Sequence, residues 1–163
     1  MKRDGKLSGM LHVLLHLADT DKAVTSERLA QMMSTNPVVI RRVMAGLRAQ
    51  GLVQSEKGHG GGWRLGRPLK EVTLAEVYRA VGEPELFAMG NRTENPECLV
   101  EQAVNAAIDN ALSEAEALLM QRFGEVTLAM LAADFQRRAE ARGYTPLKGH
   151  PHPENSHEPS HDL

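Results

Sequence analysis

The chain has 163 residues, 42% of them apolar and 4% aromatic, with 19 basic and 21 acidic side chains for a formal charge of −2. That is enough apolar matter for one domain with a real core, and the single cysteine excludes an intramolecular disulfide framework and any zinc site built from paired Cys-x-x-Cys motifs. The near-neutral total hides a division: residues 1–70 hold 12 Lys and Arg against 5 Asp and Glu, a net of +7, and the rest of the chain carries −9, so one half is suited to face a polyanion.

Leu7, Met10, Leu11, Leu14, Leu15 and Ala18 recur at three- and four-residue spacing, which predicts an amphipathic helix ending near Asp19. Val24-Thr25-Ser26-Glu27 then supplies a hydroxyl cap and an early acid. A short second helix is expected to start at Thr25 or Ser26 and end near Ser34. Asn36-Pro37 opens a third, an Asn able to cap followed by a Pro whose fixed φ suits the first helical position. Ile40, Val43, Met44 and Leu47 line one face of this helix, and Gly51 ends it. Leu52-Val53-Gln54-Ser55 and Trp63-Arg64-Leu65 read as two strands around a glycine turn, a β-hairpin. Thr73 caps a fourth helix that runs to Val81 and is closed by Gly82-Glu83-Pro84.

Residues 85–97 read as a loop. Beyond it Val100, Val104, Ile108, Ala111, Ala115, Leu118, Leu119 and Phe123 sustain a helical stripe of about 25 residues, longer than a typical globular helix. Thr127 caps a last helix through Leu128, Leu131 and Phe135 to Arg142. From Gly143 the chain holds four of its eight prolines and four of its seven histidines with almost nothing apolar, a composition expected to stay disordered. The expected division is a compact domain over 1–84, a loop with two helices over 85–142, and a tail over 143–163. No apolar run approaches the ~18 residues of a membrane span, and the N-terminal residues lack a cleavage-site pattern, so a cytoplasmic location without a membrane partner is expected.

Helix, short helix, tight turn, capped basic helix and glycine-tipped hairpin is the order of a winged helix-turn-helix, a mainly α fold with one small β-hairpin. At about 100° per residue, Val38, Arg42, Ala45 and Ala49 point away from the apolar face of the third helix, flanked by Arg41 and Arg48. Such a face suits a DNA major groove: small apolar groups meet thymine methyls, Arg42 takes the paired acceptors of a guanine, and the flanking arginines pair with phosphates. Taken alone, the same face also fits plain solvation. In the hairpin tip Lys57-Gly58-His59-Gly60-Gly61-Gly62, the glycines allow close backbone approach to a phosphate, Lys57 and Arg64 add charge, and His59 can enter a minor groove. His59-Gly60-Gly61-Gly62 also resembles an esterase oxyanion loop, but no Gly-x-Ser-x-Gly elbow accompanies it, and a P-loop is absent. No enzymatic activity is expected.

Thr35-Asn36-Pro37-Val38-Val39-Ile40-Arg41-Arg42, the Gly-Gly wing with Leu65 and Arg67-Pro68, and Leu74-Ala75-Glu76-Val77-Tyr78-Arg79-Ala80-Val81 together resemble the Rrf2 family of regulators over roughly residues 5–135. The resemblance implies a dimeric, sequence-specific transcriptional regulator binding double-stranded DNA, most simply a repressor on a palindromic operator. Its DNA contacts would come from Thr35, Asn36, Val38, Val39, Arg41, Arg42, Arg48, Lys57, His59 and Arg64. It also implies that the long helix pairs with its copy, making Val100, Val104, Ile108, Ala111, Ala115, Leu118 and Leu119 the dimer seam; the competing expectation is a helix packed only on its own domain. A different class of partner, an acidic protein docking on the same basic face, remains the alternative.

Iron-sulfur members of the family carry three cysteines between the fourth helix and the dimer helix, where this chain has only Cys98. No cluster and no other cofactor is therefore expected. Cys98 precedes the long helix, whose dipole favours a thiolate, while Glu94, Glu97 and Glu101 oppose it; it is a redox-sensing candidate, with an inert packing thiol as the plainer reading. His12 and His16 stand one turn apart without an evident third ligand, so no metal site is expected there. The tail histidines His150, His152, His157 and His161 are separated by prolines that forbid an organising helix. The sequence names no small-molecule effector.

Overall fold

A computed structural model describes residues 5–94 and 96–143. Past Gly143 the tail, with its four histidines, lies outside the described residues. Among the described residues the order is α1 (Lys6–Ala18), α2 (Ser26–Met32), α3 (Pro37–Ala49), β1 (Val53–Glu56), β2 (Gly62–Leu65), a single 3-10 turn (Leu69–Glu71), α4 (Leu74–Ala80), α5 (Leu99–Glu125) and α6 (Leu128–Ala141).

The helix starts follow from side-chain caps on otherwise unpaired N–H groups. Thr25 Oγ1 accepts from the Arg28 amide at 3.2 Å, Asn36 Oδ1 from the Val38 amide at 2.8 Å, and Thr127 Oγ1 from the Met130 amide at 3.3 Å. Each such cap contributes about 1 kcal/mol. The end of α3 is equally local: Gly51 at φ +70 lets its own amide reach Arg48 O and the Leu52 amide reach Leu47 O at 3.0 Å, the paired closure that favours glycine. Leu52 is thereby turned into the core, and the strand begins one residue later than its sequence suggests.

One core joins α1, α2, α3, β1 and α4, with Leu14, Leu29, Ile40, Met44, Leu47 and Val77 essentially inaccessible. The hairpin is antiparallel, with Val53 opposite Leu65 and Glu56 opposite Gly62. A third extended segment, unforeseen in the sequence, closes on it: Val24 N–H donates to Trp63 O at 3.0 Å and Trp63 N–H donates to Val24 O at 2.8 Å. Any Cβ on Gly62 would stand 2.5 Å from Val24 O, so that approach needs glycine. Trp63 Nε1 donates to Ser26 Oγ at 2.9 Å, fastening the wing to the first turn of α2.

The expected boundary at Pro84 does not close the core. Leu128 of α6 is fully buried in it, Leu128 N–H donates to Val72 O at 2.9 Å, and Leu74 N–H donates to Val126 O at 3.0 Å. The last helix thus returns to the winged domain, where Leu128 and Leu131 find cover. A polar network braces the same junction: Arg67 Nη1 donates to Glu76 Oε1 at 2.7 Å, while Thr73 and Glu76 cap each other reciprocally. Partial burial raises the Glu76 pKa, but the Thr73 amide and Arg67 outweigh it and leave the carboxyl below its usual value. A depressed carboxylate stabilises the fold above its unfolded pKa and loses that contribution as pH falls through the folded one. Glu76→Gln is expected to make the acid limb of a melting-temperature profile shallower, with little dependence left in that range from this residue.

α5 runs 27 residues and buries only Asn105. Its contact with α4 includes the Tyr78 and Phe123 rings, 6.1 Å apart, and Tyr78 Oη donates to Pro84 O at 2.9 Å. The loop before it is laid along α5 by Asn105 Nδ2 donating to Thr93 O at 2.8 Å and Asn91 Nδ2 donating to Asp109 Oδ1 at 2.8 Å. Val100 is 72% exposed and Leu118 56%, and Leu99 and Val104 are exposed too. Ala111 and Ala115 are exposed, with Ile108 and Leu119 half-buried. Val100, Val104 and Leu118 thus lie uncovered by their own domain, while the C-terminal part of the stripe packs on α4 through Phe123.

Candidate nucleic-acid interface

α3 presents the face that its periodicity foretells. Ile40, Met44 and Leu47 are buried and Val43 is half-buried, while Val38, Val39, Arg41, Arg42, Ala45, Arg48 and Ala49 are exposed. Exposing β-branched Val38 at 58% is unfavourable in water, and it sits in the first turn, where a recognition helix meets base edges. Arg42 has no hydrogen-bond or ion-pair partner in the described chain and is free to reach outward. Thr35 and Asn36 are exposed at the turn, but the Asn36 carbonyl oxygen is committed to its cap, leaving only the amide group for a partner.

The remaining candidate cations fall into two sets. Lys57 and His59 stand exposed at the wing tip with no partner among the described residues. Arg41, by contrast, is paired with Glu27 of α2, Arg64 Nε lies 2.6 Å from Glu56 Oε1 within the hairpin, and Arg48 Nη1 donates to Ser55 Oγ at 3.2 Å. Sequence reasoning placed all five cations of α3 and the wing in one class because such pairs join separate elements. It also passed over Arg28, exposed on α2, whose guanidinium donates to Gln31 Oε1 at 3.4 Å; its signal was another basic residue in the +7 half, just after a cap.

Cys98 is exposed at the N-cap of α5. The backbone amides of Glu101 and Val100 at the start of α5 hold the thiol below its ordinary pKa, with burial opposing them. The surrounding acids do not prevent this, since amide dipoles at a helix start favour the anion. Alkylation of the intact protein by iodoacetamide is expected to reach half its limiting rate at a lower pH than free cysteine does. A midpoint at or above that of free cysteine contradicts the assignment. His12 Nε2 and His16 Nε2 lie 2.8 Å apart on α1, and no group of three His, Cys, Asp or Glu among the described residues is placed to hold a metal. No helix among the described residues is long and apolar enough to cross a membrane.

A family profile described as Rrf2, Iron-dependent Transcriptional regulator, matches residues 4–134. YwnA of Bacillus subtilis, provisionally named an HTH-type transcriptional regulator, is 32% identical over 114 residues, covering 69% of this chain and 84% of YwnA. The HTH-type transcriptional regulator IscR of Photorhabdus laumondii is 37% identical over 79 residues, 47% of this chain and 46% of IscR. Among solved structures, the oxidized form of Staphylococcus aureus CymR has a TM-score of 0.60 at 19% identity, over 81% of this chain and 96% of CymR, a likeness of fold. The all-cysteine ligation of a common iron-sulfur cluster takes four thiolates, whereas the chain has the one thiol of Cys98, and no group of three His, Cys, Asp or Glu stands together among the described residues. The profile spans most of the sequence and YwnA is related across more than two thirds of it, so the chain belongs to the Rrf2 family of winged helix-turn-helix transcriptional regulators.

Proposed function

We propose that this protein is a cytoplasmic, cluster-free homodimeric repressor that binds a palindromic operator through α3 and the wing. The observation that carries the reading is the outward face of α3, where Val38, Val39 and Arg42 are exposed, together with the exposed Lys57 and His59 of the wing tip, the three basic side chains having no partner among the described residues. A twofold axis along the uncovered apolar side of α5, with Val100, Val104 and Leu118, puts two copies of α3 into successive major grooves. Occupying a promoter in that way blocks transcription without any catalytic step. The lowered pKa of Cys98 at the start of the same helix supports a thiol response, because oxidation there alters the end of the dimer seam.

The test is binding of the purified protein to the intergenic duplex beside its own gene at two salt concentrations, with a shuffled duplex as control, before and after mild thiol oxidation. Selective, salt-sensitive binding is expected. Its loss on oxidation, absent in Cys98→Ser, is the expected signature of the thiol response; equal peroxide sensitivity in that variant removes it. Weak binding equal on both duplexes points instead to an acidic protein partner for the same face.

A further inference from the structure

Two carboxylates stand on the DNA-facing surface without a role in the reading above. Glu27, in the first turn of α2, pairs with Arg41, and Glu56, the last residue of β1, pairs with Arg64. All four side chains are between 43% and 58% exposed, and pairs this open add little to folding stability. Packing therefore does not explain them. Their position does bear on DNA: α2 is the helix that crosses the phosphate backbone in a helix-turn-helix, α3 enters the groove, and the wing approaches a neighbouring stretch of backbone.

Each carboxylate takes one nitrogen of its guanidinium, so a phosphate that approaches Arg41 or Arg64 either displaces it or binds beside it, and in both cases meets it as a like charge. Phosphates are the same at every DNA sequence, so this opposition falls on the generic part of binding. Arg42 lies next to Arg41 but pairs with no carboxylate among the described residues, and its guanidinium stays available for a base edge. A complex held only by counterion release is loose and would exploit any freed cation. A complex seated by base contacts has its geometry set elsewhere and gains less.

We infer that Glu27 and Glu56 are specificity-determining residues, which hold Arg41 and Arg64 in ion pairs and so withhold them from non-specific phosphate contacts. This rests on the DNA-binding reading. It makes the working cationic set of α3 and the wing smaller than the arginine count suggests, with Arg42 and Lys57 foremost.

The experiment measures binding of full-length wild type, Glu27→Gln and Glu56→Gln to the intergenic duplex and to its shuffled counterpart across a salt series, with Glu27→Asp and Glu56→Asp as charge-retaining controls. Each Gln variant is expected to bind the shuffled duplex about threefold to tenfold more tightly, with a log-log salt slope steeper by about 0.9, the release of one more counterion. The ratio of affinities for the two duplexes is expected to fall, and the Asp variants to return the wild-type slope. Gln variants that match wild type on the shuffled duplex, or bind it more weakly, overturn the inference; the second result makes each Glu a brace that aims its arginine at DNA. Wild type that binds neither duplex sinks the DNA-binding reading itself, which keeps the two failures distinct.

Discussion

Arg42→Ala is expected to reduce affinity for the proposed operator by about 1 to 3 kcal/mol per half-site, so a dimer carrying the change twice would lose about thirtyfold or more. The same variant on a shuffled duplex is expected to lose only the share of one screened charge. The reasoning is geometric. Arg42 projects from the exposed side of α3, its backbone is fixed by the capped turn at Asn36-Pro37 and the closure at Gly51, and no side chain among the described residues claims its donors. A planar guanidinium on a rigid helix is suited to the two acceptors of a guanine. Lys57→Ala is the contrasting control: a wing-tip cation contacting phosphate lowers binding to both duplexes alike and reduces the salt slope by about one. Fluorescence anisotropy on both duplexes checks the pair. Arg42→Ala and Lys57→Ala behaving identically would remove base reading from Arg42.

Leu128→Ala is expected to destabilise the fold by about 2 to 5 kcal/mol, since it deletes a fully buried side chain and leaves a cavity between α6, α1 and the 3-10 turn. For a domain of this size that lowers the melting temperature on the order of 10 °C. The position makes the prediction informative. By sequence Leu128 lies more than forty residues past the end of α4, in the part expected to stand apart from the winged domain, yet its amide bonds Val72 O and its side chain fills the winged core. Leu118, the same residue type ten positions earlier, is 56% exposed on α5. Leu118→Glu is expected to leave the chemical-shift fingerprint of the winged domain in place and to shift sedimentation toward the monomer, with loss of operator binding. If Leu128→Ala melts with wild type, α6 does not belong to this core.

Much of the architecture is legible because its signals are local. A cap and the amide it satisfies lie two or three residues apart, so Thr25, Asn36, Thr73 and Thr127 mark their helices wherever the rest of the chain goes. The 3.6-residue period sorts α3 into an inner face of Ile40, Met44 and Leu47 and an outer one of Val38, Arg42 and Ala45 without reference to any neighbour. Family-like runs at the turn and in α4 added the transcriptional-regulator reading, which the family match then carried.

What sequence alone determined, then, is the order of elements, the basic half, the exposed face of α3 and the single thiol of Cys98. Tertiary structure decided the rest: that Val24 completes the wing against Trp63, that α6 returns to the core through Leu128, and that Arg41 and Arg64 are held by Glu27 and Glu56 while Arg42 is not. The physical reason is range. Caps, turns and amphipathic period are set by interactions within about four residues, whereas a charge is cancelled and a leucine is covered by whatever the fold brings beside it. Residues with one chemistry in sequence, three arginines or two leucines, acquire different functions only when their neighbours in space are known.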